Sequence, residues 1–125
     1  MNETIVSVCY ITYNQVNYVK DALDGILMQK TNFSYEVCIG EDDSDDGTRE
    51  ICIEYAQKYT TKIRLFLRSR NDVIYINSQA TGRYNFLETL KECRGKYIAH
   101  CDGDDYWTDP LKLQKQVDFM EKNKE

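Results

Sequence analysis

Four short runs rich in β-branched and other apolar residues recur along the chain, and each is followed by a segment with helical spacing. The runs are Thr4–Ile11 (TIVSVCYI), Tyr35–Gly40 (YEVCIG), Ile63–Leu67 (IRLFL) and Lys96–Cys101 (KYIAHC). They are close to continuously apolar rather than alternating, which is the pattern of strands covered on both faces. Between them, Asn17–Gln29 places Val19, Ala22, Leu23, Ile26 and Leu27 on one helical face. A second helix opens at Gly47-Thr48, buries Ile51, Cys52, Tyr55, Ala56 and Tyr59, and is capped by Asp45 or Asp46. A third spans Thr81–Arg94 with Phe86, Leu87, Leu90 and Cys93 inward, and a fourth has Pro110 in its first turn and Leu113, Val117 and Met120 on one face. Arg68–Ala80 has no clear period and reads as a long loop. The order βαβαβαβα predicts an α/β fold with a parallel sheet between two layers of helices.

In such sheets ligands bind beyond the carboxyl ends of the strands. Two acidic clusters fall at those ends, "EDDSDD" at 41–46 after the second strand and "DGDD" at 102–105 after the fourth. Carboxylates this close repel one another, so a cluster on that rim asks for a cation or for solvent. Asp-x-Asp offers hard oxygen ligands. Mg²⁺ or Mn²⁺ suits them, since such an ion takes one or two carboxylates and completes its shell with water and substrate phosphates. The bland reading is that Asp102, Asp104 and Asp105 are solvated loop residues ahead of the last helix. A calcium loop at Asp42, Ser44, Asp46 and Gly47 fails, because Ile53 stands where the bidentate Glu belongs. A phosphatase D-x-D-x-T fails at Tyr106, and neither a P-loop nor a G-x-G-x-x-G is present.

The 125 residues suit one domain, expected to span 1–125. With 42% hydrophobic and 30% charged residues the chain is globular rather than disordered. A net charge of −5 argues against nucleic acid as a partner. No apolar run reaches the ~20 residues of a membrane span, and the N-terminus lacks a signal peptide, so a cytoplasmic location, free or at the inner membrane face, is expected. Five cysteines (9, 38, 52, 93 and 101) with no C-x-x-C pair read as buried thiols. His100 is the only histidine, which excludes any two-histidine mechanism, and it reads as a packed residue of the fourth strand.

Four segments in order resemble the family-2 glycosyltransferases of the GT-A fold: "VSVCYITYNQVNYVKDAL", "VCIGEDDSDDGT", "ATGRYNFLETL" and "GKYIAHCDGDDYWTDPLKLQKQV". The resemblance runs from Thr4 to about Glu121. It implies a Rossmann-like three-layer α/β/α domain with a mainly parallel sheet, truncated after the D-x-D motif. It places Ile11 and Tyr13 at a nucleotide base and Asp42 on the base edge. The family's first acidic position is Glu41 here. It assigns Asp104 to the metal, and Asp102 to the ribose or to the metal through water. Asn85 matches the Asn of a helix start that approaches the diphosphate or sugar, and Arg83 is a candidate for a donor contact. Asp43, Asp45 and Asp46 are expected to cap a helix, Asp105 to be a structural hydrogen-bonder, Trp107 to be core and Asp109 to cap the last helix.

The function implied is transfer of a sugar from a nucleotide-sugar donor, a UDP-sugar with Mg²⁺ or Mn²⁺, to a hydroxyl of a carbohydrate or lipid-linked acceptor, with inversion. The general base and acceptor wall are expected beyond residue 125, so that these residues alone bind nucleotide without forming a glycoside. Two alternatives stand: a non-catalytic nucleotide-binding module, and a nucleotidyltransferase, whose glycine-rich start is missing from Ile11–Asn17.

Overall fold

The computed structural model describes residues 3–123. The outermost expected domain bounds, 1 and 125, lie outside the described residues. The elements are β1 (Thr4–Thr12), α1 (Val19–Leu27), β2 (Ser34–Glu41), α2 (Thr48–Lys58), β3 (Ile63–Leu67), β4 (Tyr75–Ile76), β5 (Gln79–Ala80), α3 (Arg83–Glu92), β6 (Tyr97–Asp102) and α4 (Lys112–Lys122). The four long strands form one parallel sheet in the order β3-β2-β1-β6. Register places Ile11 beside both Gly40 and Asp102, so β1, β2 and β6 end level with one another.

The two faces of the sheet differ in chemistry. On one, Val6, Val8, Tyr10, Val37, Ile39 and Cys101 meet Val19, Ala22, Leu23 and Ile26 of α1, Cys52 of α2, and Leu113 and Val117 of α4. Trp107 joins this core, as expected. The other face carries the alternate residues Ser7, Cys9, Glu36, Cys38 and Gly40, and α3 lies over it. Together they make the three layers of a GT-A-like domain.

The layer under α3 is polar, which corrects the inward face expected for that helix. Asn85 and Thr89 are the residues buried against the sheet, whereas Leu87 is exposed and Phe86, Leu90 and Cys93 are half-buried. The Asn85 amide donates to the Gly40 carbonyl at 2.9 Å, and its oxygen accepts from Arg68 Nε at 3.3 Å and Thr89 Oγ1 at 3.2 Å. Gly40 permits this approach, because a Cβ there would collide with both Asn85 and Thr89. Deeper in the layer, the buried Glu36 carboxylate accepts from Ser7 Oγ (2.5 Å), from the backbone and guanidinium of Arg94 (2.9, 3.1 and 2.8 Å) and from Arg64 (3.3 Å). Ser7 Oγ in turn accepts from the Gly95 N–H at 2.7 Å. One acid thus joins β1, β2, β3 and the turn into β6.

The 68–80 segment is more ordered than its lack of period suggests. Arg70–Asp72 is a short 3₁₀ turn, with Ser69 Oγ accepting from Asn71 N, and β4 and β5 form a small hairpin. Asn77 and Ser78 at its tip both have positive φ (52° and 65°), as a two-residue type I′ turn requires. Strands of two residues are too short to show a period. All five cysteines are free, four of them buried and Cys93 half-buried.

Candidate functional site

The level ends of β1, β2 and β6, with the start of α3, enclose a cleft of about 250 Å³. Ile11, Tyr13, Asp42, Asn85, Asp102 and Asp104 all line it. Arg83 does not; it lies exposed on the first turn of α3, and its neighbour Gly82 reaches the cleft instead. A larger groove of about 530 Å³ between β6 and α4 is walled by Ile98, Trp107, Phe119 and Met120 and has no carboxylate in its lining. The small polar cleft, not the large apolar one, holds the residues with binding chemistry.

The loop after β1 is clasped to the loop after β2. Asn14, at φ 50°, donates its N–H to Ser44 Oγ (2.8 Å), Gln15 N donates to Thr48 Oγ1 (2.9 Å) and Val16 N to Asp46 Oδ2 (3.2 Å). Asp46 also accepts from Thr48 N at 3.0 Å beside Gly47, where φ is 108°, so the expected cap of α2 is Asp46 rather than Asp45. Asp43 is not a cap. It pairs with Arg49 (2.8 Å) and accepts from Arg70 N (3.2 Å). Glu41 is fully buried and shapes the turn, accepting from Asp43 N (3.1 Å) and Ser44 N (3.0 Å) beside Arg49 Nε at 3.1 Å. That geometry explains an acid at position 41 without any ligand.

Asp42 is 3% exposed. Burial pushes its carboxyl above the usual carboxylate range, and Arg70, whose Nη1 donates to Asp42 Oδ2 at 2.8 Å, pulls the other way. The same guanidinium lies 4.0 Å from the centre of the Tyr13 ring. Nothing in the unpatterned 68–80 sequence singled Arg70 out.

On the opposite wall, Asp102 closes β6 and its side chain is 69% exposed. His100 Nε2 lies 2.6 Å from Asp102 Oδ1, and its ring meets Phe86 edge-on at 5.3 Å. His100 is therefore on the open face of β6, not packed in the core as expected. Residues two apart on a strand share a face, and that signal was available in "HCD". Gly103 is pinned from beneath, since buried Tyr10 donates its hydroxyl to the Gly103 carbonyl at 2.9 Å. Asp105 binds Tyr106 N (2.8 Å), and Asp109 accepts from Leu111 N (2.9 Å) ahead of α4, both local structural roles.

Asp102 and Asp104 are two hard-oxygen donors flanking one glycine on an open wall. Among the described residues no group of three or more His, Cys, Asp or Glu side chains is placed to hold an ion by itself. Two carboxylates plus ligand oxygens is the donor set that Mg²⁺ or Mn²⁺ accepts, so the residues present fit such an ion when it arrives with a phosphate.

The sequence model of glycosyl transferase family 2 matches residues 7–125. The chain belongs to this family. An uncharacterized protein of Mycobacterium tuberculosis is 43% identical over 120 residues, covering 96% of this chain and 32% of its own length. UDP-Glc:alpha-D-GlcNAc-diphosphoundecaprenol beta-1,3-glucosyltransferase WfgD of Escherichia coli is 30% identical over 124 residues, covering 98% and 44%. Among solved structures, S. aureus TarS 1–349 in complex with UDP has a TM-score of 0.70 at 23% identity, over 95% of this chain and 32% of that one. The mannosyltransferase PcManGT from Pyrobaculum calidifontis, in complex with GDP-Man and Mn²⁺, has a TM-score of 0.75 at 20% identity, over 94% and 32%. These likenesses establish the GT-A fold. The chain spans between about a third and under half of the length of these relatives. Among the described residues no helix is long and apolar enough to cross a membrane.

Proposed function

We propose that this chain carries the donor-binding half of a glycosyl transfer. The donor is a nucleotide-sugar, a UDP-sugar, taken with Mg²⁺ or Mn²⁺, and the sugar goes to a hydroxyl of a carbohydrate or lipid-linked acceptor with inversion. The observation that carries this reading is the convergence in one cleft of Ile11, Tyr13 and Asp42 at one end and Asp102 and Asp104 at the other. Tyr13 and the Ile11 backbone offer a wall for a base, and Asp42 an acceptor for a base N–H. Asn85 lines the cleft between these two ends and supports its floor through Gly40, which places it by the middle of the proposed donor. Asp104, with Asp102 beside it, holds the ion. A bound divalent ion there supplies neutralisation of the charge that gathers on the departing diphosphate. Arg83 remains a candidate for a contact beyond the cleft mouth. WfgD, by its name, takes a UDP-sugar to a diphosphoundecaprenol-linked acceptor, which supports the same pairing for this chain.

The test is thermal. At a hundred times Kd a ligand stabilises the folded chain by about 2.7 kcal/mol. UDP with Mn²⁺ is expected to raise Tm by several degrees, and EDTA to remove most of the rise. Asp104→Asn abolishes the metal dependence and leaves a residual response to UDP alone. If UDP, GDP, CDP and TDP at saturation all give the same shift with and without metal, the metal-bridged donor site is wrong.

A further inference from the structure

At the base end of the cleft, Tyr13 and Asp42 share one partner, the Arg70 guanidinium. We infer that Arg70 stands in for the nucleobase, and that a base enters only by displacing its guanidinium. This rests on the base subsite proposed above.

A guanidinium is flat and presents N–H donors along its edge, as uracil does at N3. Its centre lies 4.0 Å from the Tyr13 ring centre, a stacking distance, while Nη1 donates to Asp42 at 2.8 Å. Those are the two contacts proposed for the base, and one group makes both. The physical reason lies in Asp42. Its side chain is only 4% exposed, and a buried carboxylate without a donor is costly. Without a base, some donor has to reach it.

The backbone around Arg70 is held. Its N–H donates to Asp43 Oδ2 at 3.2 Å, and the 3₁₀ turn it begins is closed by Ser69. The side chain is 28% exposed, so its way out is through solvent. Displacement is therefore a change of rotamer and not a movement of the loop. Arg70 gives up an ion pair with Asp42 and a cation–π contact with Tyr13, and the base puts a neutral N–H hydrogen bond and ring stacking in their place, so nucleoside affinity is reduced by what Arg70 gives up.

Uridine is the probe, because it has the N3–H but no phosphate for a freed Arg70 to hold. Titrations by NMR on the whole chain should show Arg70→Ala binding uridine about tenfold more tightly than the wild type, the sum of one partly exposed ion pair and one cation–π contact. Equal or weaker binding overturns the inference. A second measurement needs no variant. In the wild type the Arg70 Nε–H signal should carry the ring-current shift of Tyr13 and lose it on saturation with UDP and Mg²⁺. A signal that stays ring-shifted while UDP binds also overturns it, leaving the donor-site reading intact. If neither protein binds uridine or UDP, the base subsite itself fails and the inference falls with it.

Discussion

Glu36→Gln is expected to lower stability at neutral pH by about 3 kcal/mol and to flatten its dependence on acid. Burial alone would raise this carboxyl, but the Ser7 hydroxyl and the N–H and guanidinium of Arg94 outweigh it and hold it at about 2, against an ordinary value of 4.5. At 1.36 kcal/mol per unit, a difference of about two and a half units is worth about 3 kcal/mol. A carboxyl whose folded pKa is depressed stabilises most above its unfolded pKa. The stabilisation is lost as pH falls from about 4.5 towards about 2. The amide removes the charge and points a donor into a ring of donors. Urea melts at pH 7 should show the loss, equivalent to about 10 °C in Tm for a chain of this size. Melts between pH 5 and 2 should show the variant losing less with acid than the wild type. Parallel acid limbs would mean that Glu36 does not set acid stability.

Gly103→Ala is expected to cost about 2 kcal/mol and to abolish the metal-dependent response to UDP. A Cβ at 103 would lie 2.8 Å from the Ile11 carbonyl oxygen and would run into the Gln15 side chain. Gln15 can turn away, but the Ile11 carbonyl belongs to the paired end of β1 and cannot. The loop must shift, breaking the Tyr10 hydrogen bond to the Gly103 carbonyl and displacing Asp102 and Asp104 together. Removing the softer obstacle as well, in Gly103→Ala/Gln15→Ala, should not restore the response. Thermal shifts with UDP and Mn²⁺ across the wild type and both variants decide the matter, and a wild-type shift in Gly103→Ala would show that the loop tolerates the change.

The strands were legible because β1 and β2 are covered on both faces and read as nearly continuous apolar runs, and three of the helices because apolar residues recur at helical spacing. Val6 to Tyr10 are all buried, with Val6, Val8 and Tyr10 on one face and Ser7 and Cys9 on the other, and Val19, Ala22, Leu23 and Ile26 recur at helical spacing. The inward face of α3 was not legible, because hydrophobicity is a poor guide where a helix is seated by hydrogen bonds. Leu87 looked like core and is exposed, while Asn85 and Thr89 are buried. In the cleft, the motifs located Ile11, Tyr13, Asp42, Asn85, Asp102 and Asp104, which the fold gathers together. Arg70, Tyr10 and His100 were missed for different reasons. Arg70 lies in a segment without pattern, Tyr10 resembles any strand aromatic, and His100 was judged by its apolar neighbours instead of its alternation with Asp102.

The two faces of the sheet also set the order in which the protein comes apart. Opening α1 exposes Val19, Ala22, Leu23 and Ile26, an apolar surface that water penalises. Opening α3 releases mainly hydrogen bonds, to Gly40, Arg64 and Arg68, and water replaces these at little net cost. α3, which borders the cleft, is therefore expected to open more readily than α1. Transient detachment of α3 would loosen Asn85 and Gly82 while leaving Asp102 at the end of β6 and Asp42 and Asp104 in the loops that follow β2 and β6. Such local opening, on the slow timescale of these events, would widen the cleft on the α3 side without moving its carboxylates.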